Sequence, residues 1–154
     1  MPCTQVSYRR RVELHETDLG HHVHHPNYFI WMEEAEYRLF DVIGEPVVGE
    51  LDENLLSSGW PRAEVQMKFL KPARFRDQIE VKLRIKRIRA AAIEYSCEIF
   101  RVDSKNQPEL IAVGGYSAIC CLYDARMVSD PKVIEIPVSF RNKIDVDDIP
   151  NSIL

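Results

Sequence analysis

The sequence predicts an α+β fold in which an antiparallel sheet wraps around one long helix. Three observations lead there. The first is a single apolar stripe of helical period, running from Tyr28 to Ile43. The second is that nearly everything after residue 61 alternates with period two, as strands do. The third is that only one such helix is present, so its apolar face must be covered by the sheet itself. With 154 residues, 45% of them apolar and 29% charged, the chain has the size and composition of one globular domain, spanning 1–154.

Each element follows from local chemistry. Val6 to Leu14 reads as the first strand, with Val6, Tyr8, Val12 and Leu14 on one face and Arg9, Arg11 and Glu13 on the other. Pro26-Asn27 is a suitable helix entry, because proline fits the first turn and asparagine can cap. Tyr28, Trp31, Met32, Ala35, Leu39 and Ile43 form the buried stripe, while Glu33, Glu34, Glu36, Arg38 and Asp41 populate the rest. Gly44 and Pro46 end the helix. Residues 45–61 form a loop with a short helical turn around Glu53–Leu56.

Arg62–Lys71 is the next strand, with Ala63, Val65, Met67 and Phe69 facing one way. Pro72–Asp77 turns the chain. Gln78–Arg89 alternates most cleanly, with Ile79, Val81, Leu83 and Ile85 buried. Ala91–Val102, a hairpin turn over Asp103–Pro108, and the doubly apolar Glu109–Tyr123 follow. Gly114-Gly115 implies a bulge or a close backbone approach. The tail holds one apolar piece, Val133–Phe140, interrupted by Pro137. The order is strand, long helix, then four antiparallel strands joined by hairpins. Wrapping the sheet around the helix is the natural solution for that order and gives the hotdog architecture, although other α+β folds share the order.

Composition excludes several functions. Twenty basic and twenty-four acidic side chains give a formal charge of −4, which argues against a nucleic-acid partner. No run approaches the roughly 20 apolar residues of a membrane helix. The N-terminus meets charge at Arg9 before any apolar run, so no signal peptide is expected and the location reads as cytoplasmic. Cys3, Cys97, Cys120 and Cys121 lack paired spacing and read as reduced core thiols. No cofactor is called for.

All five histidines fall between His15 and His25, in HETDLGHHVHH. A metal is the first thought. Yet the segment has no HExxH helix, no H-x-D facial triad and no glutamate near His24, so no metal site is assigned. Read singly, each histidine is a loop residue or a cap. Read together, the segment places Asp18 at the start of a loop, Gly20 where unusual backbone angles are available, and a helix N-terminus at the end. A helix N-terminus offers unpaired N–H donors and about half a positive charge, which suits a developing oxyanion. Asp18 can attack an acyl carbon or activate water. Those are the two parts that acyl hydrolysis needs.

Asp18-Leu-Gly-His-His-Val-His-His25-Pro-Asn-Tyr28, followed by Met32-Glu33-Glu34-Ala35, resembles the hotdog acyl-CoA thioesterases of the 4-hydroxybenzoyl-CoA thioesterase and YbgC type. The resemblance covers most of the chain. It implies hydrolysis of an acyl-CoA to the free acid and CoA, with Asp18 as nucleophile or general base. His25 then orients water or the carboxylate, or acts through its backbone N–H on the thioester carbonyl. Tyr28 and Glu33 lie near the substrate or a subunit interface. Lys86, Arg87 and Arg89 are the candidates for the phosphates of CoA. The family also implies a homodimer or homotetramer with the site at the subunit interface. Two departures, Leu14 in place of a tyrosine and His21-His22 in place of small residues, bear on the acyl group. The other class of function compatible with these residues is a non-catalytic protein binding acyl-CoA or an acyl carrier.

Overall fold

A computed structural model of the chain describes residues 3–144. The outer residues of the expected 1–154 domain lie outside the described residues. The elements are β1 (Gln5–Arg11), α1 (Pro26–Ile43), β2 (Leu56–Gly59), β3 (Arg62–Phe69), β4 (Gln78–Ile88), β5 (Ala92–Arg101), β6 (Glu109–Ile119), β7 (Cys121–Asp124), β8 (Lys132–Val133) and α2 (Val138–Arg141). A 3-10 turn spans Leu14–Glu16. The main sheet has the order β1-β4-β5-β6-β3 and is antiparallel throughout. A smaller sheet, β2-β7-β8, stands beside it.

The sheet takes its concave face from alternation. Ile79, Val81, Leu83 and Ile85 of β4 and Ile93, Cys97 and Ile99 of β5 are fully or almost fully buried against α1. The helix meets them with Trp31, Met32, Ala35, Leu39 and Phe40. Gly44 ends it in the left-handed conformation (φ 66°), where a β-carbon would be strained. This is the expected hotdog arrangement. Phe140 of α2 closes one end of the core against Phe40 and Trp60, and Pro137 caps that short helix.

Five local expectations change. The first strand ends at Arg11, because the chain turns into the 3-10 helix and leaves Leu14 exposed. Residues 52–55 form a tight turn rather than a helical one. The Asp52 carboxylate accepts from the Asn54 and Leu56 N–H groups, and Leu55 sits at φ 61°. The strand run is not a simple meander. β1 occupies one edge of β4, so β3 crosses over and pairs with β6 instead. The fourth change follows at once: β3 is an edge strand, and Val65 and Phe69, apolar residues that share one face, remain 44% and 48% exposed. Last, Glu109–Tyr123 is two strands. The chain breaks at Cys120, whose N–H reaches Ala91 and whose carbonyl receives Ile134, so that β7 can leave for the second sheet.

At Gly114-Gly115 the close approach is the correct alternative. A β-carbon at Gly114 would overlap the Gln66 carbonyl, and one at Gly115 would overlap the Tyr95 carbonyl. Gly114→Ala is expected to cost about 3 kcal/mol, the upper end for overpacking, measured as a fall in the denaturant midpoint at constant m-value.

The cysteines are free thiols, three of them buried. Burial pushes Cys97 up to about 12 and Cys120 up to about 11. Neither is an accessible nucleophile at neutral pH.

Candidate active site

The segment from Thr17 to His25 is a compact loop whose two ends meet. Thr17 and Val23 form an isolated antiparallel bridge. Inside it, the Asp18 N–H donates to His22 O at 2.9 Å and the His21 N–H to Asp18 O at 3.0 Å. The Gly20 N–H donates to Asp18 Oδ1 at 2.8 Å. The left-handed position is His21 (φ 61°), not Gly20. Glycine is useful at 20 for its size, since a β-carbon there would lie 3.1 Å from Asp18 Oδ1.

Four bonds fix this loop to the fold. The Val23 N–H donates to Ala73 O at 2.8 Å, tying it to the turn after β3. The His24 N–H donates to Glu16 O at 2.8 Å. Asn27 Nδ2 donates to Glu16 O at 2.9 Å and to His24 O at 3.0 Å. Asn27 therefore works as a tie between carbonyls, and the helix N-cap is His25.

The helix entry leaves one donor over. The Asn27 and Tyr28 N–H groups are turned back onto His24 O and His25 O, and Pro26 has no N–H. Among the described residues, the His25 N–H has no acceptor. The carboxylate of Asp18, 41% exposed, and this N–H stand at opposite ends of one short loop. The ring that faces Asp18 belongs to His24, with Nδ1 at 3.7 Å from Oδ2. The His25 ring instead meets Phe69 edge-on, with centroids 6.3 Å apart. His24 was passed over in the sequence because its neighbour occupies the motif position; only the curl of the loop aims it inward. His15 and His21 are exposed. Among the described residues, no three His, Cys, Asp or Glu side chains are grouped to hold a metal.

The other predicted residues are spread out. Tyr28 is in the core, 3% exposed, against Trp31 and Phe69. Burial raises its hydroxyl above the ordinary value, and Ala73 partly offsets that. Glu33 lies two turns along the exposed side of α1, accepts from Tyr37 Oη at 2.9 Å and faces Arg62 at 3.4 Å. It borders a cleft of about 490 Å³ with Tyr37, Val47, Trp60 and Arg62. Lys86 and Arg87 near the end of β4 and Arg89 just past it are exposed, and Arg87 and Arg89 both turn toward Glu94, Arg89 at 2.9 Å. Arg87 and Arg89 are thus partly neutralised cations.

A second polar group was missed. Glu36 is 1% exposed, paired with Arg62 of β3 and facing the stacked Tyr95 and Tyr116 rings. Burial raises its carboxyl above the ordinary range; Arg62 opposes that shift. The signal was available: residue 36 lies one helical turn after the stripe position Met32 and beside Ala35.

Residues 20–106 match the sequence pattern of the thioesterase superfamily. The chain belongs to the thioesterase superfamily. Membership places it among the thioester hydrolases. A protein of Aquifex aeolicus (strain VF5) named "Putative esterase" is 30% identical over 135 residues, covering 84% of this chain and 90% of that one. Two solved structures share the fold. The 4-hydroxybenzoyl-CoA thioesterase from Pseudomonas sp. strain CBS-3 superposes with a TM-score of 0.75 at 17% identity, over 91% of this chain and 99% of that one. A 1,4-dihydroxy-2-naphthoyl-CoA thioesterase from Synechocystis gives 0.75 at 20% identity, over 91% and 95%. The fold and the family agree with the resemblance seen in the sequence. No helix among the described residues is long and apolar enough to cross a membrane.

Proposed function

We propose that this thioesterase hydrolyses acyl-CoA thioesters at the Asp18 loop. The observation that carries the reading is the pairing of an accessible carboxylate with the unbonded His25 N–H across a loop pinned at both ends. The thioester carbonyl accepts the His25 N–H at the α1 terminus, where the helix field favours negative charge. Asp18 takes a proton from water, the hydroxide adds to the carbonyl carbon, and the oxyanion collapses with loss of the CoA thiolate. In the nucleophilic variant, the carboxylate itself adds and water then hydrolyses the mixed anhydride. Single-turnover hydrolysis in H₂¹⁸O tests the second route, because label in Asp18 requires a mixed anhydride whose Asp18 carbonyl is attacked by water. The test of the function is CoA release, followed by thiol titration, from a panel of acetyl-, octanoyl- and benzoyl-CoA. Binding of these esters without thiol release overturns it in favour of a non-catalytic acyl-CoA or acyl-carrier binder. Lys86, Arg87 and Arg89 hold the CoA phosphates in this reading. Their triple alanine variant is expected to raise KM for acyl-CoA and leave KM for an N-acetylcysteamine thioester unchanged.

The site is completed by a second copy of the chain. Among the described residues β3 pairs with β6 on one side and with no strand on the other, and Val65, Phe69, Leu70 and Phe75, with Ile30 of α1, are 40–51% exposed. An apolar edge strand left open is an aggregation hazard unless a partner covers it. Phe69→Asp is expected to convert a dimer to a monomer in sedimentation and to remove activity. A native protein that sediments as a monomer overturns this part.

A further inference from the structure

We infer that Glu16 is the positioning residue of the active site, holding Asp18 at a fixed distance from the α1 N-terminus. The inference rests on the reading of Asp18 given above. Glu16 is 5% exposed, two residues before Asp18, at the end of the 3-10 turn. Its main-chain and side-chain oxygens together engage the loop, α1 and β1. The carbonyl accepts the His24 N–H at 2.8 Å and Asn27 Nδ2 at 2.9 Å, which closes the loop onto the helix entry. One carboxylate oxygen accepts Trp31 Nε1 of α1 at 2.9 Å and an Arg10 guanidinium N–H of β1. The other accepts the Glu13 N–H at 2.9 Å. Arg10 lies over the Trp31 ring, 4.6 Å from its centroid, and also reaches Glu34 at 3.3 Å.

The Asp18 side chain makes no comparable anchor. Its Oδ1 contact is to Gly20 within the loop, and Leu19 beside it is fully exposed. The position of Asp18 is therefore set from outside, by Val23 on Ala73 at one side and by Glu16 at the other. Glutamate suits the task on chemical grounds. Three donors converge on its carboxylate, which as an anion carries no proton of its own to clash with them. Glutamine would present an NH₂ group toward one of these donors, and aspartate is a methylene too short to reach all three. Small displacements of a catalytic group are costly, about 100-fold for 1 Å. Loss of the clamp therefore falls on the chemical step rather than on binding of CoA.

Glu16→Gln is the test, assayed with whichever of acetyl-, octanoyl- or benzoyl-CoA the native protein hydrolyses fastest. Circular dichroism at the assay temperature confirms the folded state. The expected result is a kcat reduced about 10- to 100-fold with KM within about twofold. Native kcat in the folded variant, or a loss confined to KM, overturns the inference; a purely structural role lowers the thermal midpoint and leaves kcat native. If Glu16→Gln does not fold, Trp31→Phe removes one donor from the same carboxylate. It is expected to lower kcat several-fold at constant KM, and native kcat there overturns the inference equally. Asp18→Asn is run in parallel. Hydrolysis surviving in Asp18→Asn defeats the reading of Asp18 itself, whereas an inactive Asp18→Asn beside a fully active Glu16→Gln defeats only the positioning role.

Discussion

Asp18→Asn is expected to lower kcat by about 10²–10⁴-fold, the range for a positioned acid–base group. The change removes only the charge. The amide oxygen of asparagine can keep the bond from the Gly20 N–H, and the side chain is 41% exposed in the native loop. Stability is therefore expected to stay within about 0.5 kcal/mol, as for ordinary surface substitutions. The measurement is thiol release at saturating acyl-CoA beside a thermal melt. A fall in rate with an unchanged melt assigns the effect to chemistry. Native rates in Asp18→Asn remove the carboxylate from the mechanism and leave only the His25 N–H.

Arg62→Met is expected to have the largest effect on stability, a loss of about 3–5 kcal/mol. It strands the Glu36 carboxylate, 1% exposed, with no cation to answer it. The double variant Glu36→Met/Arg62→Met, which removes both charges, is expected to be near neutral. The contrast separates a stranded charge from a simple packing defect. The same pair sets a pH dependence. Burial raises the folded-state carboxyl of Glu36 above its ordinary value of 4.5. A group raised in the folded state binds its proton more tightly there than in the unfolded chain. Stability is then greatest below the unfolded value and falls as pH rises through the folded one. Losing Arg62 takes away the main opposing influence, so Arg62→Met is expected to show a steeper fall above about pH 4.5 than the native protein. Urea midpoints across that range check the sign. Midpoints that rise with pH in Arg62→Met would show that Glu36 is not the group responsible.

Much of this was legible in the residues because it rests on local rules. The α1 stripe and its Gly44 stop depend on spacing and on backbone angle, and the structure returned them within a residue or two. The β4 and β5 alternation held for the same reason. What failed were statements about neighbours. Val65 and Phe69 had the right parity, but parity does not say whether anything lies above a face, and β3 became an edge. Glu36 looked like a solvent-facing residue until Arg62 arrived from a strand twenty-six positions away.

The five histidines show the same division. Sequence spacing alone put Asp18 and a helix N-terminus at the ends of one loop, because a turn of that length can close in few ways. The motif from Asp18 to Tyr28 also carried the resemblance to the family, since a motif is read in order along the chain. Which ring faces the carboxylate, which N–H is left without an acceptor, and that Glu16 clamps the whole assembly were decided by contacts among β1, the loop and α1. Hydrogen bonding between elements depends on their relative placement in three dimensions, and that placement is a property of the packed core rather than of any segment in it.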